Sequence, residues 1–305
     1  MNVCIIGAGG LIGKSLIQSL LQFDGLTITG FGNAPAPDDI SIRWIQGDLQ
    51  RADDCARAVE GQDIIYHLAH TNSPLTSDQD MSQDTLSNLV PTLKLLKAVE
   101  EAKRKPHLIY PSSGGAIYGV SKNGKLFNED DPCLPLNSYG IQKLVIEHYI
   151  RLAAHRQILT STVFRISNAY GWLLPPDRPQ GFIGTAITRV LMGQPVRLVG
   201  NVENVRDYVH IDDIINALQI PLTHCSDFEV YNIGSGVGTS VIGVVNLIEK
   251  ILGRSIARVI EDIETARYLP NWCILDTRKA YDRFGWFSKV SLEEGITRML
   301  NIEGK

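Results

Sequence analysis

The sequence has few cysteines, no long hydrophobic run and no block of charge of one sign. Its five cysteines are odd in number and irregularly spaced, which indicates neither a disulfide framework nor a zinc site and suits a reducing compartment. No apolar stretch approaches the roughly 20 residues that cross a membrane, and the run from Val3 to Ile6 is too short for a signal peptide. The net charge is −4 and the basic residues do not cluster. We therefore expect a cytoplasmic protein without nucleic-acid or membrane partners.

A glycine-rich turn follows the first predicted strand. Asn2 to Ile6 is an apolar run typical of a parallel strand buried on both faces. Gly7-Ala8-Gly9-Gly10-Leu11-Ile12-Gly13 then gives the G-x-x-G-x-x-G spacing and opens an apolar-periodic helix. Gly7 allows a tight turn, Gly10 lets the backbone approach a pyrophosphate, and Gly13 lets the helix pack closely on the strand. The helix N-terminus would attract the phosphate; the alternative is a glycine turn without a ligand.

The second predicted strand, Leu26 to Phe31, ends without a charged side chain. An acidic residue near this point commonly binds the adenosine ribose of a dinucleotide, and an arginine accommodates a 2′-phosphate. The sequence here is Gly30-Phe31-Gly32-Asn33, which contains neither. Asn33 can hydrogen-bond a ribose, so we predict NAD as the cofactor and leave NADP open. His67 and His70 lack carboxylate or cysteine partners at ligand spacing, so no metal is expected.

Tyr139 and Lys143 lie four residues apart in a predicted amphipathic helix from Ser138 to about His155. They therefore share one face of that helix. A nearby ammonium stabilises a phenolate, and a tyrosine acting as a base near neutral pH needs its pKa lowered by about three units, or ~4 kcal/mol. The pattern alone also fits a surface pair facing solvent, and the other motifs have to decide between the two.

Predicted strands and helices alternate through the first 165 residues, which is typical of a doubly wound parallel sheet. Beyond that point the elements are shorter and less regular, and Asp212 is expected to cap a helix. The sequence therefore predicts an α/β fold with a Rossmann-type domain over residues 1–165 and a smaller α+β substrate lobe over residues 166–305. It leaves open that residues 207–222 pack back on the first domain.

Four motifs occur in one order along the chain. They are the glycine turn, Gly47-Asp48-Leu49, Ser112-Ser113 and Tyr139…Lys143. In this order they resemble the extended short-chain dehydrogenase/reductase family over nearly the whole chain. Two further segments resemble its NAD-dependent nucleotide-sugar epimerase/dehydratase branch, and the UDP-glucose 4-epimerases in particular: Ser112-Ser113-Gly114-Gly115-Ala116-Ile117-Tyr118-Gly119 and Arg206-Asp207-Tyr208-Val209-His210.

The resemblance implies a role for each matching residue. The residues implied to hold the cofactor are Gly7, Gly10, Leu11, Ile12, Gly13, Asn33, Asp48, Leu49, Ala69, Tyr139 and Lys143. Those implied to bind the diphosphate of the nucleotide sugar are Asn168, Arg206 and Arg267. Arginine suits this task because its planar fork meets phosphate oxygens bidentately. From the residues alone, Asp48 could equally cap a helix and each arginine could be a surface charge.

The family's catalytic hydroxyl is displaced in this chain. Relatives carry a Ser or Thr four or two residues before the Tyr of the Tyr-Gly pair, and these positions are Gly114 and Ala116 here. We therefore assign the hydroxyl to Ser113, beside Tyr139 as the acid/base and Lys143 as its helper. The dehydratase branch carries an Asp-Glu pair where this chain has Gly115-Ala116, so the resemblance disfavours dehydration.

The implied activity is NAD-dependent epimerisation of a UDP-sugar at C4 through a 4-keto sugar. One alternative is an NAD(P)H-dependent reductase of a 4-keto nucleotide sugar, and another is a non-catalytic protein that senses the nucleotide or NAD. The resemblance also implies a homodimer formed through the helices at Ser82–Lys103 and Tyr139–His155.

Overall fold

A seven-stranded parallel sheet forms the centre of the molecule, and the computed structural model describes residues 1–38, 41–121, 124–262, 264 and 269–301. In chain order the strands are β1 (Asn2–Ile6), β2 (Thr27–Gly32), β3 (Arg43–Gln46), β4 (Ile64–His67), β5 (His107–Ser113), β6 (Thr160–Ile166), β7 (Asn168–Tyr170), β8 (Val196–Val199), β9 (Val205–His210), β10 (Phe228–Ile233), β11 (Gly238–Ser240), β12 (Arg258–Glu261) and β13 (Trp272–Cys273). The central sheet has the order β10-β6-β5-β4-β1-β2-β3, with every neighbouring pair parallel. The predicted doubly wound fold is confirmed.

Helices cover both faces of this sheet. In chain order the α-helices of the described chain are α1 (Leu11–Leu20), α2 (Ala52–Val59), α3 (Met81–Ala102), α4 (Gly114–Ile117), α5 (Ser138–His155), α6 (Phe182–Leu191), α7 (Ile211–Gln219), α8 (Val241–Leu252), α9 (Arg278–Phe284) and α10 (Leu292–Asn301). Of these, α6, α8 and α10 pack together in the smaller lobe. The side chains of β1 alternate between the two faces, as a strand requires. Val3 and Ile5 pack with α1 and α7, whereas Cys4 and Ile6 pack with α2, α3 and α5. Among the described helices, none combines the length and the apolar composition needed to cross a membrane.

The second half of the chain builds the smaller lobe and also returns to the central sheet. β9 pairs with β7, β11 and β13, and β8 pairs with β12. β10 joins the edge of the central sheet beside β6, and α7 packs against α1. The N-cap of α7 is His210, whose Nδ1 accepts a hydrogen bond from the Asp212 backbone at 3.2 Å, so the predicted Asp212 cap is wrong. The division at residue 165 stays a prediction.

His107, at the start of β5, makes the stability of the fold depend on pH. Its ring nitrogens lie 2.8 Å and 3.0 Å from the hydroxyls of Thr160 and Thr162. Burial lowers the pKa of His107 to about 4, against about 6.5 in an unfolded chain. Between these values the unfolded chain binds a proton that the folded one does not. The contribution of His107 to stability is therefore complete above about pH 6.5 and is lost as the pH falls towards 4.

Between pH 6 and 4.5, the free energy of unfolding should fall less steeply in His107→Gln than in the wild type. The two slopes should differ by about 1.4 kcal/mol per pH unit. Urea denaturation at a series of pH values measures this slope. His148→Gln, which changes an exposed histidine of α5, is the control and should leave the slope as in the wild type. An equal slope for His107→Gln and the wild type would contradict the prediction.

Candidate functional site

A cleft of about 780 Å³ lies between the carboxyl edge of the central sheet and the smaller lobe. Parallel strands end at a common edge, which is where open α/β sheets bind ligands. The predicted site residues that line the cleft are Gly7, Gly10, Leu11, Ile12, Gly13, Ser113, Tyr139, Lys143, Asn168 and Arg206. The fold thus brings together the glycine turn, the Tyr139 helix and Arg206, which are spread over about 200 residues of the chain.

The glycine turn forms a tight cradle at one wall of this cleft. Gly7 has a φ of +85°, and a Cβ there would lie 2.8 Å from the Ala69 nitrogen. A Cβ at Gly13 would lie 2.5 Å from the Gly7 oxygen, so both positions require glycine. The N-cap of α1 is Gly10, which provides no side-chain cap for the free N–H groups of the first turn. These features fit the pyrophosphate of a dinucleotide, because the helix end offers unpaired donors and a positive dipole.

The end of β2 has no carboxylate and is covered by an indole from β3. Trp44 of β3 packs over Gly30 and Gly32, where a Cβ would lie 2.5 Å and 3.1 Å from its ring. Asn33 and Asp48 are exposed at the same sheet edge but do not line the cleft, and Leu49 is buried in the core. Asp48 caps no helix: its Oδ1 accepts from the Gln50 backbone at 2.8 Å, and Arg51 is the N-cap of α2. Contacts of the adenosine with Asn33, Asp48 and Leu49 stay predictions.

The first turn of α5, which carries Tyr139, is tied to the segment before and within α3. The Ser138 backbone donates to Asp78 Oδ1 at 2.6 Å, and the Tyr139 backbone donates to Ser77 Oγ at 3.0 Å. The Ser138 hydroxyl donates to Oδ2 of the fully buried Asp84 at 2.7 Å. Since three separate hydrogen bonds hold this turn, the Tyr139 ring is fixed at the cleft wall by structure outside its own helix.

Lys143 is buried behind Tyr139. Its Nζ donates to the Pro111 oxygen at 3.0 Å and lies 5.8 Å from the centre of the Tyr139 ring. Burial lowers the pKa of Lys143 to about 7, while the Glu147 carboxylate one turn further along α5 raises it. Lys143 is therefore poised to gain or lose a proton near neutral pH.

The pKa of Tyr139 is set mainly by burial. Burial raises the pKa of Tyr139 to about 12, the Ser113 hydroxyl lowers it, and the Asp84 carboxylate raises it. The predicted lowering depends on Lys143 together with the positive charge of a bound nicotinamide, so it stays a prediction. Ser113 as the nearby hydroxyl also stays a prediction, and its effect on the Tyr139 pKa has the expected direction.

The loop after β5 explains why the hydroxyl is displaced. A Cβ at Gly114 would lie 2.5 Å from Leu275 Cδ1 and 3.0 Å from the Arg165 oxygen, so position 114 has no room for a serine. A Cβ at Gly115 would meet only the Asn168 amide, at 3.5 Å. Leu275, 161 positions further along the chain, thus excludes a serine at position 114, where the resemblance leads us to expect one.

Arg206 and Asn168 belong to the smaller-lobe wall of the cleft. Arg206 donates to the Val205 oxygen at 3.0 Å, and in the described part of the chain it forms no ion pair. Burial lowers the pKa of Arg206. Asn168 donates to the Asp207 backbone oxygen at 3.0 Å. An arginine without a carboxylate partner in a cleft suits an anionic ligand. Arg267 lies outside the described residues.

The sequence interpretation missed His70 as part of this site. Its ring meets the Tyr139 ring edge-to-face, with the centres 4.9 Å apart, and it lines the cleft. His70 lies three residues after the end of β4, and that position near the carboxyl edge of the sheet does not by itself show which side chain the ring contacts. The part of the chain that the structure describes contains no group of three or more His, Cys, Asp or Glu side chains able to hold a metal.

Comparison with known proteins places this geometry in a family. The model of the NAD dependent epimerase/dehydratase family matches residues 3–234. Escherichia coli dTDP-4-dehydro-6-deoxyglucose reductase is 30% identical over 98% of this chain and 96% of its own. Mycolicibacterium smegmatis UDP-glucose 4-epimerase is 26% identical over 99% and 98%.

Solved structures that are similar to this chain include members of the same family. The UDP-glucose 4-epimerase of Thermotoga maritima with UDP-glucose is 28% identical with a TM-score of 0.90, covering 100% of this chain and 99% of its own. That of Thermus thermophilus in complex with NAD is 27% identical with a TM-score of 0.89, covering 99% and 98%. The family match extends over more than half of the chain and includes the glycine turn, Tyr139 and Lys143. This chain belongs to the NAD dependent epimerase/dehydratase family.

Proposed function

We propose that the protein is an NAD-dependent 4-epimerase of a UDP-sugar. The observation that carries this proposal is the meeting of Tyr139, Ser113 and Lys143 in one cleft that Arg206 also lines. This set supplies one acid/base with its helpers and one anion-binding group. The likeness to UDP-glucose 4-epimerases over the whole chain supports the same reading.

In this proposal each side chain has one role. Tyr139 takes the proton of the sugar 4-hydroxyl and later returns it, and Ser113 stabilises the phenolate by a hydrogen bond. The Lys143 ammonium adds positive charge behind the ring, and Arg206 binds the diphosphate. NAD, when bound at the glycine turn, supplies the acceptor and donor of the C4 hydride and a positive charge on its nicotinamide. The Tyr139 pKa, about 12 in the protein alone, needs such an added charge to fall towards neutrality.

A reductase of a 4-keto nucleotide sugar is the second candidate. It is favoured by the 30% identity to the E. coli reductase and by the absence of a carboxylate at the end of β2. Without that carboxylate, the end of β2 does not repel the 2′-phosphate of NADPH. Dehydration is disfavoured although dTDP-glucose 4,6-dehydratases are among the relatives, because the loop beside Tyr139 carries Gly115 and Ala116 in place of a second acid and base.

The two candidates differ in how they use the cofactor. An epimerase keeps NAD bound and needs no added cofactor, whereas a reductase consumes one reduced cofactor per product. The test incubates the purified protein with UDP- and dTDP-sugars and follows the anomeric protons by NMR, with the bound cofactor released and identified in parallel. Turnover only with added NADH or NADPH, by protein that carries no NAD, would overturn the epimerase.

We expect Ser113→Ala to lower kcat by about 10- to 100-fold with little change in KM. The lost hydrogen bond acts on the phenolate, and bonds to charged groups contribute about 1.5–3 kcal/mol. Steady-state kinetics on the substrate found by the NMR panel measure this. A rise in KM at unchanged kcat would instead make Ser113 a ground-state binding residue.

We further propose a cytoplasmic homodimer formed through α3 and α5. Ile141, Tyr149 and Leu152 of α5 and Leu86 of α3 are exposed, which supports an apolar contact between two copies. The five cysteines are free thiols, which supports a reducing compartment. Light scattering on the purified chain tests the assembly, and a monomer would refute it.

A further inference from the structure

The His70 ring lies against the ring of Tyr139, the proposed acid/base. The two rings stand at 89° to each other, with the centres 4.9 Å apart, which is the favoured edge-to-face arrangement. The neighbouring residues of the cleft wall are both apolar and polar, and they are Leu68, Asn72, Pro74, Leu75 and Thr76. The imidazole of His70 therefore lies in the cleft wall at the point where the reaction is proposed to occur.

One nitrogen of this ring has no partner. His70 Nε2 is buried, and within the described chain it makes no hydrogen bond. Buried polar atoms in folded proteins are nearly always paired, and an orphan points to a partner supplied by a ligand or by water. A phenylalanine would make the same edge contact with Tyr139 without leaving a nitrogen unpaired.

The ring is uncharged at working pH. Burial holds the pKa of His70 well below its usual range, and the neighbouring Lys143 and His67 lower it further. A neutral imidazole donates from one nitrogen and accepts at the other. It can therefore bind a hydroxyl or a carbonyl oxygen without changing the charge of the site.

The site also lacks one hydrogen-bonding group on the loop after β5. Gly114 has no room for a side chain, and Ala116 offers none. The Ser113 hydroxyl acts on Tyr139, whose pKa it lowers. A substrate oxygen bound beside Tyr139 can therefore accept or donate a second hydrogen bond that the loop does not supply. His70 lies next to the Tyr139 ring and can make it.

We propose that His70 is a further residue of the reaction centre, whose ring nitrogen hydrogen-bonds the oxygen on the reacting sugar carbon while its edge fixes the Tyr139 ring. This inference rests on the proposed function. It assigns to an imidazole the place that a loop hydroxyl holds in the related enzymes.

Three variants separate the hydrogen bond from the ring contact. His70→Phe keeps the ring and removes the nitrogens, His70→Gln keeps a polar group near Nε2, and His70→Ala removes both. We expect kcat to fall about 10- to 100-fold in His70→Phe and further in His70→Ala, and to recover at least partly in His70→Gln. The matched control, His224→Phe at an exposed histidine outside the cleft lining, should keep wild-type kcat. Wild-type kcat in His70→Phe would overturn the proposal.

Two measurements do not depend on turnover. The first is the dissociation constant of each of four ligands: UDP-glucose, UDP, dTDP-glucose and dTDP. We expect His70→Phe to bind the sugar nucleotide several-fold more weakly than the wild type and to bind the nucleotide without the sugar equally well. The melting temperature of His70→Phe should equal or exceed that of the wild type, because an unpaired buried nitrogen is removed. A large loss of melting temperature would make His70 merely structural. A wild type that binds none of the four would overturn the proposed function and this inference with it, whereas wild-type binding with equal losses for sugar nucleotide and nucleotide would overturn only the role of His70.

Discussion

Tyr139→Phe is expected to lower kcat by about 10³-fold, the largest effect of any single substitution in the cleft. The variant keeps the ring and its edge contact with His70 but removes the hydroxyl that moves the proton. General acid–base catalysis contributes about 10²–10⁴-fold, and Tyr139 is the residue of the described cleft placed to supply it. Steady-state kinetics and the amount of NAD that co-purifies should show lost turnover with cofactor binding retained.

Tyr281→Phe is the matched control, since Tyr281 of α9 is exposed and lies outside the cleft lining. It should have wild-type kcat. Loss of bound NAD together with activity in Tyr139→Phe would indicate a damaged site instead of a missing acid/base. Biological function that persists unchanged in Tyr139→Phe would favour the non-catalytic sensor.

Arg165→Met is expected to lower the free energy of unfolding by about 3–5 kcal/mol. The guanidinium Nη2 lies 2.8 Å from Glu147 Oε2, and the two side chains are 8% and 4% exposed. Arg165 also donates to the Tyr118 hydroxyl at 3.0 Å. Removing Arg165 leaves the Glu147 carboxylate buried without its counter-ion, and the penalty for that isolated charge exceeds the value of the pair itself.

Urea denaturation of three variants measures this effect. Lys250→Met breaks an exposed pair with Glu293, whose side chains are 68% and 55% exposed, and should change the free energy of unfolding by at most about 1 kcal/mol. The double variant Arg165→Met/Glu147→Leu should recover most of the loss, because no charge then stays buried. A loss in Arg165→Met no larger than that in Lys250→Met would contradict the prediction.

The parts of the site that could be predicted are those fixed by short-range geometry. Gly7, Gly10 and Gly13 follow from the backbone of one strand–turn–helix unit, and Tyr139 and Lys143 from a separation of one helical turn. Asn33 and Asp48 were harder to predict. Their contacts depend on how three strand ends face a nucleotide, and the structure leaves them outside the cleft lining. His70 was missed because no local pattern places it against a residue 69 positions later.

The sequence by itself determined the order of strands and helices, the glycine cradle and the pairing of a tyrosine with a lysine on one helix face. Each depends on residues within a few positions of one another, where sterics and helical periodicity act. The tertiary structure alone decided that position 114 cannot hold a side chain, that His70 reaches Tyr139, and that burial raises the pKa of Tyr139. These depend on the approach of distant segments and on the exclusion of water, and both arise only when the whole chain packs.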